Sequence, residues 1–384
     1  MDFHPSSGGT FTTISSFVQA IQNSVISFSS HAPPTLDMPS RAVQVELAKG
    51  IAGRLYGLPA RQALKVTSEL VSETDLFWLH VLYRFPAQWI RQICGSRRKP
   101  YIFVAHGSLD PYVFTYRRLR KYLFMHTLGR RILDDASRIV FSTWAEFRKA
   151  QRWINPAKAV VMHWPVELRY FSDLETRRHS VCQRLELPPD TRLLLWVGRL
   201  HPMKRPVETA QAFARADADN CVLLMIGPDE VYSREQCRAF CKRQGIKHVY
   251  WLGPVFGQEK EELFAAAHGF ISYSHRENFG YTTADALACG KPVILSPGND
   301  LAGDINHTEC GWFTKGERPS EISEAIKAFS KASRQTLDAA GRRGQDWAAE
   351  NLRMESFRAT LQNLVAATIE ESSQRAATPR RNSS

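Results

Sequence analysis

Residues 270–295 read FISYSHRENFGYTTADALACGKPVIL, and this stretch is the clearest indication of the fold class. An apolar run, Phe270 to Tyr273, precedes a turn that contains Gly280. A Gly-Lys-Pro sequence then separates the next segment from a second apolar run, Val293 to Leu295. This order predicts a strand, a turn, a helix and another strand, which is the repeating unit of a parallel sheet.

Two carboxylates occupy this unit. Glu277 follows the first strand, at the carboxyl end where open parallel sheets bind ligands. Asp285 lies about two helical turns further on, so we expect it to face the same crevice. Ionised carboxylates only accept hydrogen bonds, and two of them suit a ligand rich in hydroxyls, such as a sugar joined to a ribose. Taken alone, the stretch also fits an ordinary strand-turn-helix with two solvated acids.

A second motif combines two cations with the start of a helix. The apolar run Leu193 to Val197 leads into GRLHPMK at 198–204, and an amphipathic segment follows. Arg199 and Lys204 therefore share one loop with the first amides of a helix, which is a favourable place for phosphate oxygens. In isolation, a basic surface turn would have the same sequence.

Both motifs resemble those of the retaining glycosyltransferases of family 4, the glycosyl transferases group 1, which have the two-domain GT-B architecture. The family's two glutamates correspond to Glu277 and Asp285, so the second carboxylate is one methylene shorter here. In the family, the Arg and Lys of Gly-Arg-Leu-x-x-x-Lys hold the diphosphate of a nucleotide-sugar donor. The resemblance implies this role for Arg199 and Lys204, hydrogen bonds from Glu277 to the donor sugar, and from Asp285 to the ribose.

A histidine string in the first half extends the resemblance. HGSLDPY at 106–112 follows the apolar run Tyr101 to Ala105 and is similar to a string in relatives that build surface polysaccharides. Their histidine lies across the cleft from the phosphate-binding pair, near the donor sugar. The residues themselves leave a structural role for His106 open. The catalytic residues that the resemblance implies are Glu277, His106, Arg199 and Lys204.

The implied donor-binding set is larger and comes from loops that end strands. It comprises Gly8, Gly9, Arg199, Lys204, Gly227, Leu252, Glu277, Asn278, Phe279, Gly280 and Asp285. The arrangement requires no metal ion and no cofactor, since the nucleotide-diphosphate sugar is a substrate. Asp217-Ala218-Asp219 has the Asp-x-Asp pattern of another glycosyltransferase fold, and we interpret it as a solvated turn at a helix end.

At 384 residues the chain exceeds one ordinary core. We predict the α/β class, a GT-B fold with two Rossmann-like, doubly wound parallel-sheet domains facing a cleft. The expected boundaries are an acceptor-side domain at 1–170, a nucleotide-sugar-binding domain at 171–345, a helix that crosses back at 346–371 and a disordered tail at 372–384.

Three details refine this prediction. Only Met1 to His4 precedes the Gly8-Gly9 loop, so the first strand is expected to be missing or short. The polar stretch Leu174 to Arg192 reads as an interdomain connection. The last amphipathic helix is expected over roughly Arg342 to Ile369.

Charge and cysteine content indicate the surroundings of the protein. The net charge is +12, and its densest basic segment, 117–131, interleaves Arg and Lys with Leu, Phe and Tyr. Such a segment fits an anionic membrane surface, whereas no nucleic-acid motif accompanies it. An odd count of seven cysteines, without metal-ligand spacing, is typical of reduced thiols in the cytoplasm. No apolar run could span a bilayer and the amino terminus lacks a signal pattern, so we expect a cytoplasmic protein, peripheral on the inner membrane face.

The resemblance, together with these features, implies a retaining, metal-independent hexosyltransferase. It would move a sugar by front-side displacement from a nucleotide sugar to a saccharide or polyprenyl-linked acceptor, in exopolysaccharide or lipopolysaccharide biosynthesis. Two alternatives remain open, a sugar-nucleotide epimerase of GT-B shape and a catalytically weak scaffold subunit of the same fold. A dehydrogenase is disfavoured because no Gly-x-Gly-x-x-Gly follows a strand.

Overall fold

The computed structural model of the protein describes residues 9–21, 25–29, 42–46, 73–218 and 220–377. Met1 to His4, Gly8, Asp219 and the tail beyond residue 377, all subjects of sequence predictions, lie outside these ranges. The chain divides into two compact units, one comprising 1–164 with 354–384 and the other 165–353.

The described strands of the first unit are all parallel and form two sheets. The pair consists of β1 (Val25–Ser29) and β2 (Ala42–Glu46). The four-stranded sheet runs in chain order through β3 (Phe77–Leu79), β4 (Tyr101–Val104), β5 (Arg138–Phe141) and β6 (Ala159–Val161). β4 is buried at every position, which is why it reads as an uninterrupted apolar run.

Helices cover this sheet and carry the rest of the core. Their bounds are Gly9–Ala20, Phe85–Arg97, Arg118–Phe124, Arg130–Asp135, Trp144–Ala150 and Met354–Ala377. Shorter 3-10 turns lie at Pro111–Thr115, Gln151–Trp153 and Pro156–Lys158, and one π-helical turn lies at Met125–Gly129. The first and last helices meet where Phe17 packs edge-on against Phe357, with 5.3 Å between the ring centroids.

The second unit contains one six-stranded parallel sheet. Its strands are β7 (Arg192–Val197), β8 (Cys221–Ile226), β9 (Val249–Gly253), β10 (Gly269–Ser272), β11 (Val293–Leu295) and β12 (Gly311–Phe313). The spatial order is β12-β11-β10-β7-β8-β9, the doubly wound order of a Rossmann fold. The predicted α/β class with two parallel sheets is confirmed, and the three apolar runs named above for this half coincide with β7, β10 and β11.

Helices connect these strands along the chain. Their bounds are Leu174–Arg184, Pro206–Ala216, Arg234–Arg243, Gly257–Ala266, Tyr281–Ala288, Ala302–Ile305, Pro319–Lys331 and Arg334–Asn351. Two further 3-10 turns lie at Pro202–Lys204 and Asn306–Thr308. Phe213, Phe329 and Trp251 lie in the core on one face of the sheet.

The interdomain connection expected at 174–192 is wrong, because its first part is the helix Leu174–Arg184 inside the second unit. The residues that this helix buries are Arg178, Val181 and Cys182. Arg178 takes a core position because its stem is apolar and its guanidinium donates to the carbonyl oxygen of Ala266 at 3.2 Å. An arginine at that position hides the apolar stripe from a sequence pattern.

The single helix expected over 342–369 is also wrong. The helix Arg334–Asn351 ends at Leu352, and a new helix begins at Met354. The carbonyl of Leu352 accepts the backbone N–H of Val166 at 2.9 Å, so it is not used to continue a helix. The second helix continues to Ala377, beyond residue 372, where the sequence predicted a disordered tail.

Candidate active site

The strand order of the second sheet creates one distinctive position. β7 and β10 lie side by side, and the chain leaves them in opposite directions, from β7 to β8 and from β10 to β11. Ligands of open α/β sheets bind at such a reversal, outside the carboxyl ends of the strands. The loops that follow these two strands are 198–204 and 274–280, which are the two predicted motifs.

Lys204 and Glu277 meet at this reversal. The ammonium of Lys204 contacts Oε2 of Glu277, and the two side chains are only 18% and 17% exposed. Burial, with a smaller contribution from the charge of Arg199, lowers the pKa of Lys204 to about 7, and Glu230 acts in the opposite direction. The carboxylate of Glu277 favours the charged form of the lysine. The sequence pattern thus predicted two residues that the fold brings into contact.

Arg199 lies near this pair but is more exposed. Its guanidinium donates to Glu230 Oε1 at 2.5 Å, and its side chain is 59% exposed. Its charge is close enough to lower the pKa of Lys204. A ligand with two phosphates would therefore meet one buried cation and one exposed cation that can exchange its carboxylate partner for phosphate.

Three glycines let the ends of β7, β8 and β9 approach closely. The backbone N–H of Gly198 donates to Ile226 at 3.0 Å, and that of Gly227 donates to Gly253 at 2.8 Å. Gly227 has φ +151°, and a Cβ placed there would lie 1.7 Å from the carbonyl oxygen of Gly198. The predicted donor-binding residue Gly227 is therefore required as glycine by this backbone contact.

The loop that carries Glu277 is fixed by a second loop after β11. The backbone N–H of Glu277 donates to Gly298 at 2.7 Å, and its carbonyl accepts from Asp300 at 2.9 Å. Gly280 adopts φ +78°, and a Cβ there would lie 2.9 Å from Oδ1 of Asn299. These contacts hold Glu277 in place before any ligand arrives, which is the preorganisation that binding and catalysis need.

The predicted residues between Glu277 and the helix differ in what they can offer. Phe279 is buried, and its ring packs edge-on against Tyr281 with 5.1 Å between centroids. Its ring is therefore part of the core and largely shielded from a ligand. Asn278 is half-buried, and Gly280 caps the helix Tyr281–Ala288.

Asp285 and Glu277 have different cationic partners. Asp285 Oδ2 accepts from Lys260 Nζ at 2.9 Å, and both side chains are about one-third exposed. Burial and the charge of Asp285 together raise the pKa of Cys289 to about 12, so that thiol stays protonated. Lys260 is a cation at this site that the motifs did not indicate.

Leu252, a further predicted donor-binding residue, lies in β9. It is half-buried, and its carbonyl accepts from Arg234 Nη1 at 3.3 Å. The strand ends one residue later at Gly253, which has φ +89°.

Arg205 anchors the loop that presents Lys204, and no motif pointed to it. Its backbone has φ +50°, between the 3-10 turn and the next helix. Its Nη2 donates to Glu317 at 2.6 Å and bonds His275 Nδ1 at 2.9 Å, while the guanidinium lies 4.8 Å from the ring centroid of Tyr273. Arg205 thereby ties the loop after β7 to the loop after β10.

In the first unit, His106 pairs with a second histidine. His106 Nε2 and His80 Nδ1 are 2.8 Å apart, so one ring donates and the other accepts. Burial lowers the pKa of His106 to about 4, and burial with the neighbouring His106 lowers that of His80. Both imidazoles are therefore neutral near pH 7, and Nδ1 is the nitrogen of His106 still able to bond a ligand.

Glu146 fixes the turn after His106, and sequence reasoning missed it. Its buried carboxylate accepts the backbone N–H groups of Gly107 at 2.5 Å and Ser142 at 2.7 Å, and the Ser142 hydroxyl at 2.8 Å. The turn needs this support because His106 and Gly107 have φ +46° and +69°. The available signal was Thr143-x-x-Glu146 after an apolar run, a helix-capping pattern in which Thr143 accepts from the Glu146 N–H.

Two of the remaining predictions concern residues that lie partly outside the described ranges. Gly8 lies outside the described residues, and Gly9 begins the helix Gly9–Ala20. Asp217 has φ +47° at a helix end, and Asp219 lies outside the described residues. Across the described ranges, no group of three or more His, Cys, Asp and Glu is arranged to hold a metal ion. All seven cysteines are buried, described and free of disulfides.

Comparison with known sequences finds similarity to one family over most of the second unit. Residues 180–347 match the model of the glycosyl transferases group 1. D-inositol 3-phosphate glycosyltransferase from Geodermatophilus obscurus is 28% identical over 225 residues, which cover 56% of this chain and 49% of that protein. The same enzyme from Acidothermus cellulolyticus is 28% identical over 216 residues, with coverages of 52% and 48%. The chain thus spans about half the length of the curated relatives it matches.

Solved structures resemble nearly the whole chain. Anabaena Alr3699/HepE, crystallised with UDP and glucose, superposes with a TM-score of 0.75 at 18% identity, covering 96% of this chain and 98% of that one. A glycosyltransferase from Rickettsia africae superposes with a TM-score of 0.73 at 14% identity, covering 96% and 97%. These identities show the fold alone. The chain therefore has the GT-B fold, and its residues 180–347 are similar to the glycosyl transferases group 1.

Proposed function

We propose that the protein is a glycosyltransferase that moves a sugar from a nucleotide-diphosphate sugar to a saccharide or lipid-linked saccharide. The observation that carries this proposal is the contact between Lys204 and Glu277 where the strand order reverses. One group suits a diphosphate and the other suits sugar hydroxyls, and Arg199 supplies a second cation beside them.

The two cations have the more direct part in the chemistry. Lys204 and Arg199 would neutralise the donor's diphosphate, most strongly as charge grows on the leaving group. Because they supply this charge, we propose that the reaction needs neither a metal ion nor a cofactor. Glu277 would accept hydrogen bonds from the donor sugar, and Asp285 from the ribose.

We propose that the transfer retains the anomeric configuration. The bond between the anomeric carbon and the phosphate oxygen breaks, and the acceptor oxygen bonds the same face of that carbon. The acceptor's proton passes to the leaving phosphate oxygen. His106, neutral at this pH, would bond a hydroxyl of the donor sugar through Nδ1 rather than act as a cation.

The relatives suggest which donors to try first. The similar Anabaena protein was crystallised with UDP and with UDP-glucose, and curated relatives are named as glycosyltransferases acting on an inositol phosphate. We propose a UDP-sugar as donor and a role in surface polysaccharide assembly, in the cytoplasm at the inner face of the membrane.

The test is to incubate the purified protein with UDP- and GDP-sugars and to follow release of the nucleoside diphosphate. Slow release with one donor, unchanged by EDTA and lost in Lys204→Ala, is the expected result. NMR of the product with an added acceptor reports the anomeric configuration. Binding without turnover for every donor would indicate a scaffold, and conversion of the donor sugar to its epimer would indicate an epimerase.

A further inference from the structure

One segment of the first unit concentrates exposed apolar side chains. The described residues include nine large hydrophobic side chains that are exposed, and five of them lie between residues 112 and 128. They are Tyr112, Tyr116, Leu119, Leu123 and Leu128. Leu119 is 85% exposed and Leu123 is 66% exposed. Large apolar side chains that cluster at a surface in this way are typical of an interaction site.

The segment is apolar on both of its sides. On the inner side, Met125, Ile132 and Leu133 are fully buried, and Tyr122 packs on Phe114 with 5.2 Å between centroids. These residues already account for the attachment of the segment to the core. Leu119 and Leu123 leave most of their side chains in water.

The helical geometry lines up the outward residues. Leu119 and Leu123 are four apart on the helix Arg118–Phe124 and share one face. Leu128 is five positions further, which would turn it away on a regular α-helix. Leu128 lies within the π-helical turn Met125–Gly129, whose wider turn brings position 128 closer to the face of Leu123 than a regular α-helix would.

Charge surrounds this apolar face. From Pro111 to Leu133 the sequence contains six Lys and Arg and no Asp or Glu. Arg117, Arg118 and Arg131 are exposed, and the Arg117 guanidinium lies 5.1 Å from the ring centroid of Tyr116. These basic residues thus lie in the same segment as the exposed leucines and tyrosines, and one of them, Arg130, pairs with Asp134.

We propose that this surface, residues 112–131, docks on a membrane that contains anionic lipids. The leucines and tyrosines would enter the boundary between headgroups and acyl chains, while the arginines bind lipid phosphates. A basic surface for nucleic acid would not require exposed leucines, whereas an anionic bilayer offers both phosphates for the arginines and acyl chains for the leucines. None of the described helices is long and apolar enough to cross a bilayer, so attachment through this surface is peripheral.

The proposed membrane surface deepens the membrane location given under the proposed function, and vesicle flotation tests it without any donor or transfer reaction, so its outcome is independent of the proposed transfer activity. The purified chain is mixed with vesicles of phosphatidylcholine alone or of phosphatidylcholine with phosphatidylglycerol. We expect binding to the anionic vesicles only, weakened by salt. The double variant Arg117→Gln/Arg118→Gln should bind roughly 30-fold more weakly, given about 1 kcal/mol for each basic residue near such a surface.

A second variant tests the apolar part separately. Leu119→Ser/Leu123→Ser should bind at least about tenfold more weakly, because two leucines no longer leave water. Phe256→Ser, which removes another highly exposed apolar side chain from the second unit, and Arg342→Gln/Arg358→Gln are the matched controls and should bind as the unmodified chain does. Circular dichroism and nucleotide binding verify that each variant is folded.

The proposal is overturned if the unmodified chain ignores anionic vesicles, or if both double variants bind as well as the controls. Binding to neutral and anionic vesicles alike also contradicts it. Retention of RNA or DNA together with failure on vesicles would assign the surface to nucleic acid instead.

Discussion

Lys204 and Glu277 are in contact although they belong to two different loops, one after β7 and one after β10. Their neighbouring strands hold both loops at the reversal of strand order, and Arg205 and Glu317 join the loops a second time. A cation and an anion so placed, and largely withdrawn from water, form a site that exists before a ligand binds. The following predictions start from this arrangement.

Replacing Lys204 by alanine should weaken UDP binding roughly 10- to 100-fold, because a charge-assisted hydrogen bond contributes about 1.5–3 kcal/mol. It also leaves Glu277 without its partner, so the electrostatic field at the site becomes negative. Isothermal titration calorimetry measures the affinity. Lys247→Ala, which removes an exposed lysine in the same unit, is the control, and equal affinities for the two variants would rule out the assigned role.

The affinity for UDP-glucose should depend on pH through Lys204. Its pKa is lowered to about 7, so the ammonium is present below that value and is lost as the pH rises above it. Affinity should therefore fall with increasing pH, by up to about tenfold per pH unit. The donor's diphosphate diester keeps its charge over this range, and His106 is already neutral. Lys204→Arg should abolish the slope, since arginine stays charged, and a slope that persists there belongs to another group.

Asp285→Asn should lower the affinity for the donor without lowering the stability of the fold. The ion pair with Lys260 is partly exposed and contributes at most about 1 kcal/mol, so the melting temperature should change little. Donor affinity should fall several-fold if the carboxylate bonds the ribose. Asp285→Glu, which keeps the charge, should retain most of the affinity. An Asn variant with unaltered donor binding would show that Asp285 only pairs with Lys260.

Gly227→Ala should destabilise the second unit strongly, because the new Cβ would lie 1.7 Å from the Gly198 carbonyl. We expect a loss of roughly 3 kcal/mol or more and a lower melting temperature. Gly245→Ala is a matched control, since Gly245 also has positive φ but no atom lies within 4 Å of its Cβ position. It should cost only about 1 kcal/mol. Similar losses for the two variants would mean that backbone strain alone, and not the close approach, requires Gly227.

Glu146→Gln should lower both stability and transfer. A glutamine presents an amide donor to a site where two N–H groups and a hydroxyl already point, which costs roughly 1–3 kcal/mol. The turn at His106 and Gly107 loses its support, so the turnover number should fall more than UDP affinity in the other unit. Thermal melting, turnover and calorimetry measure the three effects. Arg148→Ala, on the same helix and exposed, should leave all three unchanged.

Strands and the two motif loops could be predicted from the amino-acid sequence alone. Largely buried parallel strands appear as continuous apolar runs, so β7, β10 and β11 were evident, and glycine and charged residues after β7 and β10 marked the loops. Helices whose apolar face is interrupted, or that end at a tertiary contact, were harder to predict from the sequence. Arg178 hides the stripe of one helix, and the break at Leu352 depends on a hydrogen bond to Val166 from a distant segment.

Which charged side chains form ion pairs is evident only from the tertiary structure. Lys204 contacts Glu277, whereas Asp285 contacts Lys260, and Glu146 supports the turn at Gly107. No local pattern contains these pairs, because each joins segments whose proximity is set by sheet order and helix packing. The sequence specifies what each segment can become. The packing of the whole chain specifies which polar groups share a low-dielectric site, and hence their pKa values and their chemistry.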